Sequence, residues 1–156
     1  MKPCFLLLML VPALPLNAAE HSGQAYAFFA PHTTGGEFGD LLSAGAGGEV
    51  FLYRGLAAGA DLAYAFPRGH GSDGIGLLTV NPSYHFVNKD RTNRFVPFVT
   101  AGYALAFRSG TANLVNFGGG VTYWFTGSVG ARVEVRDYRI SGQDATTQFR
   151  FGVAFR

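Results

Sequence analysis

Two side chains in the middle of the chain have the types and spacing that hydrolytic chemistry requires. Ser83 and His85 lie two residues apart in a stretch predicted to be a strand, so both side chains point to one face of the sheet. A serine hydroxyl becomes a nucleophile when a histidine within hydrogen-bond reach takes its proton. The alternative is a hydrogen-bonded pair that fills the interior of the sheet, and we favour this alternative.

The other residues with metal-binding side chains lie in two predicted loops. They are His32, Glu37, Asp40, His70 and Asp73. The two loops are expected to meet at one surface, but the spacing of these residues matches no known set of metal ligands. We therefore predict solvated loop residues here, and the sequence implies no metal and no cofactor.

Strands are the elements that must position these side chains. From about residue 23 onward, apolar residues recur with period two, which is the pattern of a strand with one buried face. Clusters of Gly, Asn, Asp and Pro divide this pattern into eight predicted strands. They run from Gly23 to Ala30, Leu42 to Tyr53, Leu56 to Phe66, Ile75 to Val87, Arg94 to Arg108, Leu114 to Thr126, Ser128 to Ile140 and Thr147 to Arg156.

The connections between the predicted strands alternate in kind. Short turns at Tyr53 to Gly55 and Thr126 to Ser128, and a longer link from Asn88 to Asn93, alternate with looser polar segments. The looser segments are Pro31 to Asp40, Pro67 to Asp73, Ser109 to Asn113 and Ser141 to Thr146. This order is typical of an up-and-down antiparallel barrel with short turns at one end and loops at the other. Pro82 falls inside the fourth predicted strand and predicts a β-bulge, because proline cannot donate a ladder hydrogen bond.

One face of each predicted strand is apolar and nearly free of charge. The other face carries Gly, Ala, Thr and Ser together with the charged residues, which are Glu49, Asp61, Arg108, Arg132, Glu134, Arg136 and Arg150. Only 14% of the chain is charged, whereas a soluble surface usually carries about 25–35% charged residues. So few charges cannot solvate a barrel exterior, but they suit a narrow interior. The sequence therefore predicts that the apolar face points outward, into lipid.

Six of these charged residues are candidates for a structural ion-pair network in the interior. They are Glu49, Asp61, Arg132, Glu134, Arg136 and Arg150. Eight strands enclose a space just wide enough for side chains, so we predict that the network plugs the barrel. A narrow small-solute pore is the alternative.

The first 19 residues differ in character from the rest. Lys2 precedes an apolar stretch from Cys4 to Leu16 and the small residues Ala18 and Ala19, as in a cleaved secretory signal peptide. The apolar stretch is shorter than the roughly 20 residues of a membrane-spanning helix. The predicted domains are thus a signal peptide at 1–19 and one barrel domain at 20–156. The net charge of +2 comes without a clustered basic face, so no nucleic-acid partner is predicted.

Three segments carry a resemblance to a known family. They are Gly45 to Phe51, Pro97 to Tyr103 and Phe117 to Phe125. Their pattern and their glycine placement resemble the outer-membrane β-barrel domain family, the small eight-stranded barrels of the OmpA and OmpX type. The resemblance implies an all-β transmembrane barrel in the outer membrane of a Gram-negative bacterium, in contact with lipid and lipopolysaccharide.

The end of the chain also resembles this family. Gly152 and Phe155 match the C-terminal signal that the barrel-assembly machinery reads, although Arg156 stands where the family ends in an aromatic residue. The resemblance implies this machinery as a partner. The sequence carries no signal of the oligomeric state.

An enzyme that acts on lipid A or a phospholipid is the competing function, because some barrels of this size modify lipid A. The lipid A deacylases present a histidine and a serine two residues apart on a late strand. The comparable stretch here, Arg132 to Tyr138, contains no histidine. We therefore predict no enzymatic activity, and a structural outer-membrane protein whose loops serve adhesion or interaction.

Overall fold

The computed structural model describes residues 23–35, 40–87, 94–140, 142 and 144–156. The predicted signal peptide at 1–19 and the loop residue Glu37 lie outside these ranges. Within the described ranges, no helix is both long enough and apolar enough to cross a membrane.

Eight antiparallel strands form a closed barrel, which confirms the predicted fold class. The strands are β1 (Gly23–Ala30), β2 (Leu41–Tyr53), β3 (Leu56–Pro67), β4 (Ile75–His85), β5 (Phe95–Phe107), β6 (Thr111–Trp124), β7 (Val129–Arg139) and β8 (Thr146–Phe155). Each strand pairs with the next along the chain. Because β1 also pairs with β8, the sheet has no open edge between these strands.

The two ends of the barrel differ. β1 begins and β8 ends at one end, where short turns also join β2 to β3 and β6 to β7; we call this the turn end. We call the opposite end the loop end. There, Thr33–Thr34 form a short strand that pairs with β8, and Gly71–Asp73 form a 3₁₀ turn. Both lie in segments predicted to be loops.

The observed strand limits lie within three residues of the predicted ones, and the largest difference is at the start of β6. The predicted loop from Ser109 to Asn113 is wrong at its C-terminal limit, because the strand already begins at Thr111. Thr111 pairs with Phe107 and Asn113 pairs with Leu105, so only residues 108–110 turn the chain. Ladder hydrogen bonds are made by the backbone, and polar side chains at the end of a strand do not interrupt them.

Burial alternates along the strands as predicted. In β7, Arg132, Glu134 and Arg136 are buried, whereas Val133 and Val135 are 42% and 40% exposed. The same alternation gives the outside of the barrel a belt of exposed Leu, Val, Phe and Tyr side chains. Soluble monomers rarely expose contiguous apolar surface on this scale, so the exterior is suited to lipid.

Arg108 is the one predicted interior charge that the structure places elsewhere, and that prediction is wrong. β5 ends at Phe107, and the chain turns at once, with Arg108 N donating to Gly110 O at 3.0 Å. Strand alternation therefore no longer sets the direction of the Arg108 side chain. Its Nη2 lies at the loop end and donates to Asp73 Oδ1 at 3.1 Å.

The bulge predicted at Pro82 is also absent from the observed register. Val80 pairs with Tyr103 and Ser83 pairs with Thr100, so the offset between β4 and β5 is the same on both sides of the proline. The Pro82 carbonyl accepts a hydrogen bond from Thr100 Oγ1 at 3.2 Å. Because proline has no N–H group, one hydrogen bond of the ladder is absent, but no extra residue is inserted into the strand.

Two inward glycines leave room for the interior side chains. A Cβ added to Gly47 would lie 2.6 Å from Asp61 Cβ on the facing strand. A Cβ added to Gly120 would lie 2.8 Å from Glu134 Cα and 2.9 Å from Phe98 Cζ. Glycine at these positions lets large side chains from neighbouring strands cross the narrow interior.

Candidate functional site: ion pairs across the lumen

The six charged residues predicted for the network all lie inside the barrel. Each is at most 6% exposed, and together they are Glu49, Asp61, Arg132, Glu134, Arg136 and Arg150. They come from β2, β3, β7 and β8, which lie on different sides of the lumen. Three carboxylates and three guanidinium groups balance, so the set has no net formal charge. Buried charges are tolerated when they are paired in this way.

Asp61 lies between two arginines, in the part of the lumen nearer the loop end. Its Oδ2 accepts a hydrogen bond from Arg136 Nη1 at 2.7 Å, and its Oδ1 accepts one from Arg150 Nη1 at 3.4 Å. Arg150 also donates from Nε to Gln148 Oε1 at 2.6 Å and from Nη2 to the Tyr138 hydroxyl. Both carboxylate oxygens of Asp61 therefore have a cationic partner from a distant strand.

Glu134 joins the two parts of the network. Its Oε1 accepts a hydrogen bond from Arg136 Nε at 2.5 Å, and its Oε2 lies 3.4 Å from Nε and Nη2 of Arg132. Arg132, Glu134 and Arg136 occupy alternate positions of β7, so all three face inward. The result is a continuous row of alternating charge along one strand.

Glu49 lies nearer the turn end and contacts one arginine and three other side chains. Its Oε1 accepts hydrogen bonds from Arg132 Nη1 at 2.9 Å and from Gln24 Nε2. Its Oε2 accepts a hydrogen bond from Ser83 Oγ and lies 2.9 Å from His85 Nε2. The Glu49 carboxylate therefore has one arginine partner and otherwise contacts Gln24, Ser83 and His85, whereas Asp61 has two arginine partners.

Aromatic rings surround the arginines, and the sequence predictions did not include them. The guanidinium carbon of Arg132 lies 3.8 Å from the Phe98 ring centroid and 4.4 Å from that of Tyr26. That of Arg150 lies 4.1 Å from the Phe28 ring centroid. Cation–π contacts of this kind stabilise desolvated guanidinium groups. The sequence signal that could have identified these rings is the strand alternation, which places Tyr26 and Phe28 on the inward face of β1.

Ser83 and His85 lie together as interior hydrogen-bonding residues. Ser83 Oγ is 3.4 Å from His85 Nε2, and both atoms contact the same Glu49 oxygen. In a catalytic triad, the acid binds the other histidine nitrogen and leaves Nε2 to take the serine proton. Here the carboxylate accepts the serine hydrogen bond itself, and Ser83 is only 6% exposed. This geometry connects β2 to β4 and differs from that of a catalytic triad.

The described loop residues considered as metal ligands do not come together as one cluster of three or more. His32 Nδ1 is 3.5 Å from Asp40 Oδ1, while Asp73 pairs with Arg108. Within the part of the chain that the structure describes, no three His, Cys, Asp or Glu side chains form a group that could hold a metal ion.

The lumen is filled unequally along its length. Toward the loop end, Ala65, Leu77, Leu114 and Tyr138 are buried, and they line a cavity of only about 20 Å³. At the turn end, a cavity of about 280 Å³ reaches inward as far as His85. The ion pairs lie between a packed region and an open one.

The architecture is similar to that of solved outer-membrane proteins. The N-terminal β-barrel domain of Pseudomonas aeruginosa OprF aligns with a TM-score of 0.65 and 17% identity, over 85% of this chain and 95% of that one. Neisserial surface protein A aligns with a TM-score of 0.59 and 16% identity, over 85% and 94%. The outer membrane enzyme PagL aligns with a TM-score of 0.50 and 14% identity, over 85% and 99%.

The fold is that of the small outer-membrane β-barrels. No protein-family model matches the sequence, and no curated protein is significantly similar to it. At these low identities the similarity concerns the fold alone, and the similar structures include one described as an enzyme. In that fold, the two residues predicted for the assembly signal lie on opposite faces of β8, with Gly152 inward and Phe155 outward and 48% exposed.

Proposed function

We propose that this protein is a structural barrel of the Gram-negative outer membrane, with a lumen closed by ion pairs and surface loops used for adhesion or interaction. The observation that carries the proposal is the ion-pair network inside the barrel. Its formal charges cancel, and each of its three carboxylates contacts at least one arginine. A water-filled pore needs charged groups that face solvent, whereas these groups face each other. No enzymatic activity is part of the proposal.

The outward belt of exposed apolar side chains supports a position in the outer membrane. In barrels with an even number of strands, both chain ends lie in the periplasm and the longer loops lie outside. By this rule the turn end faces the periplasm and the loop end faces the cell exterior.

Lipopolysaccharide is the partner proposed for the exterior near the loop end. Arg139 ends β7 on the outward face, and its side chain is 58% exposed while pairing with Asp137 at 3.1 Å. The Arg139 guanidinium carbon also lies 5.0 Å from the Phe117 ring centroid. A cation beside an aromatic ring at this level suits the phosphates of the outer leaflet. Assembly through Gly152 and Phe155 by the barrel-assembly machinery completes the proposed set of partners.

A narrow pore is the second candidate function, because the cavity at the turn end shows that part of the lumen is open. Planar-bilayer conductance separates the two candidates. The mature chain is refolded in detergent, its folding is checked by a boiling-dependent shift on SDS gels and by a β-type circular dichroism spectrum, and the folded fraction is added to the bilayer. The plug predicts no conductance steps for the wild-type protein.

Glu134→Ala removes the carboxylate that joins the two parts of the network, so it is expected to produce small conductance steps. Asp137→Ala, on the outward face of the same strand, is the matched control and is expected to stay silent. If the wild-type protein already gives conductance steps, and these steps are larger in Glu134→Ala, the protein is a pore and the proposed plug is wrong. A β-rich protein that stays soluble without detergent would contradict the membrane location itself.

A further inference from the structure

The cavity at the turn end has no part in the ion-pair plug. Its volume of about 280 Å³ is close to the lower limit of ligand pockets, which is roughly 300 Å³. Phe51, Val96 and Trp124 form apolar walls, and His85 and Thr122 form part of its polar lining. An apolar pocket with a few converging polar groups is the usual form of a small-molecule site.

Two arginines line the same cavity without an acidic partner among the described residues. The guanidinium carbon of Arg156 lies 4.1 Å from the Trp124 ring centroid, and Arg156 Nε donates to Gly127 O at 2.9 Å. The guanidinium carbon of Arg54 lies 5.1 Å from the Tyr53 ring centroid. Both arginines are among the residues that line the cavity. The interior arginines, by contrast, all have carboxylate partners.

Thr122 adds a buried hydroxyl group beside the cavity. Thr122 is 1% exposed and lines the cavity, and its hydroxyl has no hydrogen-bond partner in the described part of the chain. Buried hydroxyl groups nearly always have a partner. The Thr122 Oγ1 atom has almost no accessible surface, so a molecule in the cavity reaches it only after the side chain rotates.

We propose that this cavity binds a small amphipathic phosphate. The phosphate lies between Arg54 and Arg156, because guanidinium groups bind phosphate through paired hydrogen bonds. The apolar part of the ligand packs against Phe51, Val96 and Trp124. The ligand is either a free phosphomonoester or the headgroup of an inner-leaflet phospholipid. The phospholipid headgroup as a ligand rests on the proposed orientation of the barrel in the membrane. The existence of the cavity does not depend on that orientation.

Trp124 is the only tryptophan of the chain, so its fluorescence reports on the cavity directly. The folded full-length mature protein is placed in nanodiscs of phosphatidylcholine and titrated with phenyl phosphate. A saturable change in Trp124 emission is expected, with phenol, which lacks the phosphate, producing no saturable change. Arg156→Gln is expected to weaken binding about tenfold, the effect of losing one charge-assisted hydrogen bond.

Two further variants make the test specific to the cavity. Val96→Phe fills the cavity and is expected to abolish binding, while its boiling-dependent gel shift shows that the barrel still folds. Arg108→Gln removes an arginine at the loop end, the opposite end of the barrel, and is expected to leave binding unchanged. No saturable change in the wild type, or a change that survives both Arg156→Gln and Val96→Phe, would overturn the proposal.

Nanodiscs that contain phosphatidylglycerol distinguish the two ligand sources. If the phospholipid headgroup occupies the cavity, phenyl phosphate binds more weakly in these nanodiscs than in phosphatidylcholine alone. Equal binding in both identifies a free phosphomonoester as the ligand. Either result is independent of the conductance measurement, so failure of the site and failure of the plug are separate outcomes.

Discussion

The two parts of the lumen hold their carboxylates in different ways. Asp61, toward the loop end, contacts two arginines and lies below a packed apolar region. Glu49, toward the turn end, contacts one arginine and otherwise Gln24, Ser83 and His85, and it lies close to the open cavity. The comparison shows that one barrel interior holds one carboxylate between two arginines beside a packed region and another among hydrogen-bonding side chains beside an open cavity. Hydrogen-bonding side chains beside open space can rearrange after a substitution, whereas a buried ion pair that loses one partner leaves an uncompensated charge.

The largest expected effect is that of Asp61→Asn. This substitution leaves Arg136 and Arg150 with a surplus buried charge in the packed part of the lumen. We expect the free energy of unfolding to fall by about 3–5 kcal/mol, as for other buried ion pairs that lose one partner. Urea unfolding in lipid vesicles measures this change. Asp73→Asn, which removes the exposed partner of Arg108, is the control and should cost at most about 1 kcal/mol.

Glu49→Gln is expected to have a smaller effect, about 1–3 kcal/mol, the range for loss of a hydrogen-bonding partner to a charged group. Gln24, Ser83 and His85 can rearrange around the new amide, and water from the cavity can reach Arg132. The measurement is the same urea unfolding experiment. Equal losses for Glu49→Gln and Asp61→Asn would show that the two parts of the lumen do not differ in the proposed way.

The smallest effect is expected from buried hydroxyl groups on β4 and β5, at the level of the ion pairs. Thr79 is fully buried, and its Oγ1 has no partner among the described residues. Thr79→Val should therefore raise the free energy of unfolding by up to about 1 kcal/mol. Thr100→Val is the matched control, because Thr100 Oγ1 donates to Pro82 O and its loss should destabilise the barrel. A destabilised Thr79→Val would mean that this hydroxyl has a partner after all.

The strands, their faces and the identity of the interior charges were predictable from the sequence. Strand alternation is a local property, and the small number of charges on one face indicates that this face is the interior. Arg108 shows the limit of that argument, because alternation ends where the chain turns, and the exact turn position depends on pairing between β5 and β6. Pro82 shows a second limit, since the closed sheet keeps its register across the proline.

The pairing of the charges was not predictable in the same way. Arg132 reaches Glu49 across 83 residues of sequence, and Arg150 reaches Asp61 across 89. Which interior side chains lie at the same height depends on the tilt and stagger of the strands when the sheet closes. The cavity at the turn end likewise exists only because Phe51, Trp124 and Arg156, from distant strand ends, meet there. The sequence by itself thus determined which side chains point inward, because period two is local, and the closed barrel decided which of them meet, because stagger belongs to the whole sheet.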